Sequence, residues 1–564
     1  MAVNITEQAI QPIVDLDTDV VVYVPGFAVK GPLEPTFVTR STFTSLFGDL
    51  PYIFKTSQAD ALGNSILQGS PDRSWLYAKG ILDSGLTVLF HRQYPDNILV
   101  SEPEPDTYTN TQFSNPPTTA FAIGKGAKTA TLDPLSSGQD EDQNEIYKTI
   151  SVKAKYKGSY YAGLKVTITR DTNGLMLVKV ERREEGEYKI LESKHISLNP
   201  LSPVYIETVS FANIEFYETK GNGFRTLNLD QEHIGLTQNN FVYMSGNAEL
   251  APPIKLTGTG GDQTQEPLSN LEDEVDIDAY INTLQGLTSP MEVLEDTEQF
   301  TSIAYITSGG YYQSKELAGK MQALAYKIKS IALVDLSKPI ADGFESLQQL
   351  LDTTGSEIFT RAKSTSFVGA DTYIIQGYKV VIPDSFGYLS KLGSNISQAI
   401  PYWIPVANNP NGVVSAVSTT RPVKASTRAT MINNNGTSVN PIIYKQNVGY
   451  TIMGNRTLYP NEVVLGPQSF LNCQIVVNAV ERSARRAAQD LLIVNTDPNT
   501  AFRKFKSVVS KTCDKFLVNG DGLAAYNIIK LKKTRPATID TIIELTLREG
   551  IEEWNITVPY SLEM

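Results

Sequence analysis

Over residues 303–383 short apolar runs alternate with helix-patterned segments: SIAYIT, QSKELAGKMQALAYKIK, SIALVDL, a helical stretch near 344–351, then TYIIQ and YKVVIP. This rhythm constrains the fold more than any other feature. Neighbouring parallel strands need a crossover of a dozen or more residues, and a helix is the usual one. A three-layer α/β core containing parallel strands is therefore expected. In the first helical segment Leu317, Met321, Leu324 and Ile328 recur at three- and four-residue spacing, which supplies one apolar face.

Pieces that suit the same core lie far upstream. DVVVYVPGF is a β-prone run stopped by Pro25 and Gly26, a turn at Lys30, Gly31 and Pro32 leads to a short strand over 36–39, and Ser41 can cap a short helix ending at Gly48. A helix is expected around 58–67, and LTVLFHR over 86–92 reads as a buried strand. The segment SEPEPDTYTNTQFSNPPTT then breaks the pattern, and from about 121 to 270 short strands with turn signals follow, among them ISVKAKY, GLKVTITR and FVYMSGN. The expectation is a β-sandwich or barrel inserted into the α/β part.

The C-terminal hundred residues are the most regular. Residues 470–492 suit an amphipathic helix with Leu471, Ile475, Val476, Val480 and Ala487 inward and Glu481, Arg482, Arg485 and Arg486 largely outward. Asp497 and Pro498 supply a cap and a first-turn proline for a second helix that buries Phe502, Phe505, Val509, Phe516 and Leu517. Three strands follow: AYNIIKLKK, TIDTIIELTLREG and WNITVPY. At the other end, residues 1–19 read as an extended arm, with Ile5, Ile10, Ile13 and Val14 scattered among polar residues and Pro12 opposing a helix. Such an arm needs a partner to become ordered. With 564 residues, roughly two to four domains are expected. We divide the chain into the arm at 1–19, the N-terminal part of the core at 20–100, the β-rich insert at 101–290, an α/β domain at 291–440 and an α+β domain at 441–564 ending in a strand arm.

Little in the composition points to catalysis. No GxxxxGK[ST] loop occurs, since IGKGAK at 123–128 and AGKMQ at 318–322 lack its glycine spacing. The three histidines, His91, His195 and His233, form no close pair, and Asp273, Glu274, Asp276 and Asp278 lack the oxygen spacing of a calcium loop. Cys473 and Cys513 show neither zinc nor disulfide spacing and read as buried small hydrophobes. No catalytic residue, metal or cofactor is nominated. A formal charge of −12 argues against a nucleic-acid partner, and no apolar run is long enough to span a bilayer. Against this acidity the basic run Arg503, Lys504, Lys506, Lys511 and Lys515 reads either as a solvated helix face or as a surface that docks on an acidic protein.

Several phrases resemble the contractile bacteriophage tail sheath family. VPGFAVKGPLEPTFVTRSTFTSLFGD resembles the family's opening, through Gly26, Gly31, Pro32, Phe43, Phe47 and Gly48. AKYKGSYYAGLKVTI is similar through Tyr156, Gly158, Gly163 and Leu164. The paired helices and glycine turn near the C-terminus are similar through Glu481, Pro498, Asn499, Phe516, Leu517 and Gly520, and so is the closing strand pair with its late proline. The chain departs from the family over 384–422, where a Pro-Gly-rich stretch is usual. The resemblance implies a non-enzymatic subunit with a subtilisin-like α/β domain, forming homohexameric rings stacked as a helical polymer around a tail tube. Its partners would be itself, the tube protein, and baseplate and terminator proteins. It would be assembled in the host cytoplasm and carried in the virion. It also implies inter-subunit strand exchange through Ile5, Ile10, Ile13, Val14, Ile542, Ile543, Leu545, Leu547, Trp554, Ile556 and Val558, with the basic run facing the tube. A baseplate or surface adhesin, and the sheath of a related contractile injection system, are the alternative readings.

Overall fold

The computed structural model describes residues 20–28, 30–50, 52–59, 65–93, 99–100, 118–122, 136–139, 145–147, 149–155, 164–170, 175–184, 187–197, 201–218, 241–245, 256–257, 290–295, 302–311, 313, 315–335, 361–368, 370–408, 410–419, 431–432, 438–459, 466–491, 497–518, 522–531 and 539–548. The arm at 1–19, the helix expected near 344–351, the acidic cluster at 273–278 and the last strand, WNITVPY, lie outside them.

The centre is an eight-stranded mixed sheet built from β1 (Val21–Gly26), β2 (Thr36–Val38), β3 (Thr87–Arg92), β4 (Ile303–Ile306), β5 (Ile331–Asp335), β6 (Ser364–Val368), β7 (Asn440–Lys445) and β8 (Gly449–Ile452). Its order is β2-β3-β1-β4-β5-β6-β7-β8. The six inner strands run parallel and the two edge strands antiparallel. Every residue of β1 and of β5 is buried, as expected for strands covered on both faces. Alternate side chains separate into two cores. Val22, Val24, Val88, Phe90, Tyr305 and Leu333 pack towards α2 (Arg73–Asp83), α4 (Ser385–Ser397) and α5 (Leu471–Gln489). Val21, Tyr23, Leu89, Ile303, Ile306 and Ala332 pack towards α3 (Lys315–Ile328), whose Leu317, Met321, Leu324 and Ile328 form the apolar face expected from their spacing.

The short helix α1 (Phe43–Phe47) buries Phe43 and Phe47 against Phe90, with Thr42 rather than Ser41 at its cap position. Gly31 turns there at φ +104°, and a Cβ on it would meet the Phe47 ring at 2.7 Å. The helix expected around 58–67 is instead two antiparallel strands, Tyr52–Ala59 and Ser65–Pro71. Residues 60–64, which include Gly63 and Asn64, lie outside the described residues. The apolar runs TYIIQ and YKVVIP also leave the parallel sheet. They form an antiparallel hairpin, Ala370–Ile375 with Tyr378–Pro383, joined by Gln376 and Gly377, both at positive φ. That is the two-residue turn whose twist matches paired strands.

Residues 118–245 contribute, among the described residues, separate antiparallel sheets of two, three and four strands, and none of these strands joins the central sheet. The chain ends, among the described residues, in α6 (Pro498–Val518) and a hairpin of β9 (Leu523–Lys530) and β10 (Thr541–Leu547). No helix of the described residues is long and apolar enough to cross a membrane.

Candidate assembly interface

In open α/β sheets ligands bind beyond the carboxyl ends of the strands, where the strand order reverses. Here that reversal lies at β1, between β3 and β4, and the space beyond it is filled by the protein itself. The Thr307 hydroxyl donates to the Tyr23 carbonyl at 2.8 Å. A Cβ on Gly309, which sits at φ +69°, would fall 1.9 Å from the Pro25 carbonyl oxygen, so the two loops touch backbone to backbone. Asp72 caps α2 through the Trp75 N–H at 2.8 Å and also accepts from the Ser74 hydroxyl at 2.5 Å and the Tyr311 hydroxyl at 2.7 Å. Asp335 accepts from the Ser385 hydroxyl at 2.5 Å and N–H at 3.2 Å, tying the end of β5 to the start of α4.

These groups are fully buried. Burial lifts the Asp335 carboxyl to about 7 despite its two donors, and raises Asp72 as well. Burial also lowers His91, whose Nδ1 lies 2.7 Å from the Tyr23 hydroxyl, to about 4. In an enzyme such perturbed carboxylates would face a cleft. Here their acceptor capacity is used by neighbouring turns and helix starts, so the usual catalytic crevice of the fold is a packed structural joint.

The opposite flank carries the C-terminal helices and hairpin. Helix α5 lies across the C-terminus of α3 and the start of β5. Arg482 donates to the Lys329 carbonyl at 2.6 Å, Arg485 to the Lys327 carbonyl at 2.9 Å and Asn478 to the Ser330 carbonyl at 3.0 Å. Cations on the last carbonyls of a helix satisfy its orphan acceptors and oppose its dipole. Glu481, Arg482, Arg485 and Arg486, expected outward, are therefore half-buried. Lys363 is buried beneath α5, bonded to Asn478 and paired with Glu481 at 2.7 Å. Burial lowers its pKa, and the Glu481 charge opposes that. Leu471, Ile475, Val476, Val480 and Ala487 point inward as the helical spacing requires.

Helix α6 begins with Asp497 accepting from the Thr500 N–H at 3.0 Å and packs on α5 through the 2.7 Å Ser483–Thr512 hydroxyl pair. Val509, Cys513 and Phe516 are fully buried, and Phe502 and Phe505 rest against the core. Leu517, expected among them, is 38% exposed. Arg503, Lys504, Lys506 and Lys511 are exposed and Lys515 is half-buried. They do not make one face. At about 100° per residue Lys504, Lys511 and Lys515 fall within roughly 40° of one another, while Lys506 lies on the other side of the exposed surface.

The hairpin β9–β10 sits on this pair of helices. Ile543, Leu545 and Leu547 pack on the core, Tyr526 donates to Asp514 at 2.6 Å and Lys530 to Asn499 at 2.6 Å. Ile542, Glu544 and Thr546 alternate with them on the exposed face. Strand-exchange residues expected in β10 therefore separate into three that anchor the hairpin and one, Ile542, that is 43% exposed. Among the described residues the sheet has only two strands, so each has an outer edge with no described partner strand. Ile5, Ile10, Ile13, Val14, Trp554, Ile556 and Val558 lie outside the described residues. The hydrophobic alternation of β10 was legible in the sequence, whereas the arginine caps on α3 were not, because their acceptors are backbone carbonyls more than 150 residues away.

No family model and no curated protein matches the chain. Solved structures that align with the chain include a sheath tail protein from Listeria innocua, at 9% identity, 94% coverage of this chain, 95% of that chain and a TM-score of 0.47. A sheath tail protein from Desulfitobacterium hafniense aligns at 10% identity over 97% of this chain and 99% of its own, with a TM-score of 0.39. The sheath of an extracellular contractile injection system in its contracted state aligns at 15% identity over 51% of this chain and 80% of its own, with a TM-score of 0.38.

Proposed function

We propose that this chain is a structural, non-enzymatic subunit of a contractile tail sheath. It polymerises as stacked hexameric rings around a tail tube and contracts to drive the tube through a host cell envelope. The observation that carries the reading is the C-terminal hairpin. It is a two-stranded ribbon anchored by its inward residues, with edges free of a described partner strand, in a chain whose N-terminal nineteen residues have the composition of an arm. An open edge is a template on which a strand from another copy can pair through backbone hydrogen bonds. Two further points support it: the ordered phrases that resemble sheath proteins at both ends of the chain, and the packed crevice where an enzyme of this architecture would hold substrate.

On this plan residues 1–19 and the strand beyond 548 add to the ribbons of neighbouring copies. The 20–100 and 291–440 segments form the body, for which the family implies a subtilisin-like layout. The 101–290 insert faces outward, and the Lys504, Lys511 and Lys515 stripe faces an acidic tube. Contraction is then a rigid-body rearrangement of bodies joined by flexible connections. Baseplate and terminator proteins hold the two ends of the polymer, which is assembled in the host cytoplasm and retained in the virion.

Truncation tests this directly. Deleting residues 1–19, or the chain from Glu553 onward, leaves a folded subunit by circular dichroism that no longer sediments as long polymer. Polymers of normal length from both truncations would contradict strand exchange.

A further inference from the structure

Lys363, Asn478 and Glu481 form a group whose chemistry goes beyond docking α5. Lys363 immediately precedes β6, and its carbonyl accepts the Ala332 N–H of β5 at 2.9 Å, which fixes the backbone from which its side chain leaves. That side chain is only 7% exposed, and its amine donates to Asn478 Oδ1 and to Glu481 Oε2, the latter at 2.7 Å. Asn478 is fully buried, and its Nδ2 donates to the Ser330 carbonyl at 3.0 Å, so the amide presents its carbonyl to the amine. Burial lowers the Lys363 pKa, Glu481 opposes that, and the Lys329 and Arg482 charges add to the lowering. An amine pushed towards its neutral form is a nucleophile. Held against a carboxamide, with a carboxylate in contact to move protons, it has the arrangement that aminolysis of an amide requires.

We infer that Lys363 and Asn478 join after folding as an intramolecular isopeptide bond, with Glu481 carrying the protons. Glu481 takes one proton from the Lys363 ammonium. The Nζ lone pair then bonds to Asn478 Cγ, and the Cγ–Nδ2 bond breaks as Glu481 returns its proton to Nδ2. The second Nζ proton passes to Glu481 and leaves with the released ammonia as ammonium. One amide replaces another, so no oxidant or cofactor takes part. The product fastens the start of β6 to α5 across 115 positions of sequence, and a cross-link over so long a loop restricts the unfolded chain. The ion pair is the state before reaction, and stability comparisons at Glu481 apply to unlinked protein.

Intact-mass spectrometry of the full-length protein, followed from purification through prolonged incubation, tests this. The expected result is a loss of about 17 Da, the mass of ammonia. An asparagine succinimide loses the same mass, so proteolysis must also yield a branched peptide in which Lys363 is joined to Asn478. Lys363→Arg should keep its full mass, because a guanidinium stays protonated. Glu481→Gln, at a side chain 37% exposed, keeps the shape but not the proton carrier and should form the branch on the order of a hundredfold more slowly. Branching of Glu481→Gln at the wild-type rate would overturn the part given to Glu481. Folded wild-type protein that keeps its full mass to the end of incubation, or that loses ammonia without the branched peptide, would overturn the bond itself.

Discussion

Asp335 shows how the interior sets a pH response. Its carboxyl titrates near 7 in the folded chain because burial disfavours the charge, against about 3.8 when unfolded. Between those values the folded state holds the extra proton, so this group's contribution is complete below 3.8, declines as pH rises and is lost above about 7. His91 acts in the opposite sense. Its folded value of about 4 lies below the ordinary 6.5, so stability falls as pH drops through that window. Asp335→Asn should therefore gain on the wild type as pH goes from 5 to 8.5, read as the difference in urea midpoint between the two proteins. A difference independent of pH would show that Asp335 does not titrate in this range. Tyr311→Phe removes one of three donors from buried Asp72 and should cost about 1–3 kcal/mol, seen as a lower urea midpoint with an unchanged slope.

At the scale of elements, the contacts that dock α5 include the Glu481 pairs with Lys363 at 2.7 Å and Lys329 at 3.9 Å and three bonds to backbone carbonyls. Glu481→Gln leaves Lys363 buried with a neutral partner and should lower stability by about 2 kcal/mol, moderated because Glu481 is 37% exposed. In the ribbon, Leu545→Ala should cost about 1–2 kcal/mol because the side chain rests on the core, while Ile542→Ala should change stability by less than about 0.5 kcal/mol. Equal losses would mean that the hairpin is not anchored by its inward face.

Elements with a strong period were legible in the sequence. Strand β1 follows from VVYV, α3 from the Leu317 to Ile328 spacing, and the start of α6 from Asp497 and Pro498. Strand β6 was not, because Ser364, Thr365 and Ser366 give it no apolar run. They are buried all the same, with Thr365 donating to the Arg456 carbonyl at 2.8 Å and Ser366 to the Val334 carbonyl at 2.7 Å. Helix α4 was hidden in the same way by Ser and Gly, although Phe386, Tyr388, Leu389 and Leu392 carry its apolar face. Of the candidate interface, the alternation in β10 could be read locally. The burial of Arg482 and the division of the basic run depend on where distant backbone lies.

Across the whole molecule, one body supplies rigidity and the C-terminal ribbon supplies edges that have no partner strand among the described residues. The central sheet is covered on both faces and its crevice is occupied by interlocked side chains, so the chain has a stiff block suited to moving as a unit. A charge of −12 makes like copies repel, so under the proposed assembly polymer formation should rise with ionic strength. The central claim is that this block assembles through strands into a sleeve. Electron microscopy of the purified full-length protein at rising concentration, with and without tube protein, tests it most directly. The account predicts long hollow cylinders with a regular cross-striation. Small closed oligomers at every concentration, even with tube protein present, would contradict it.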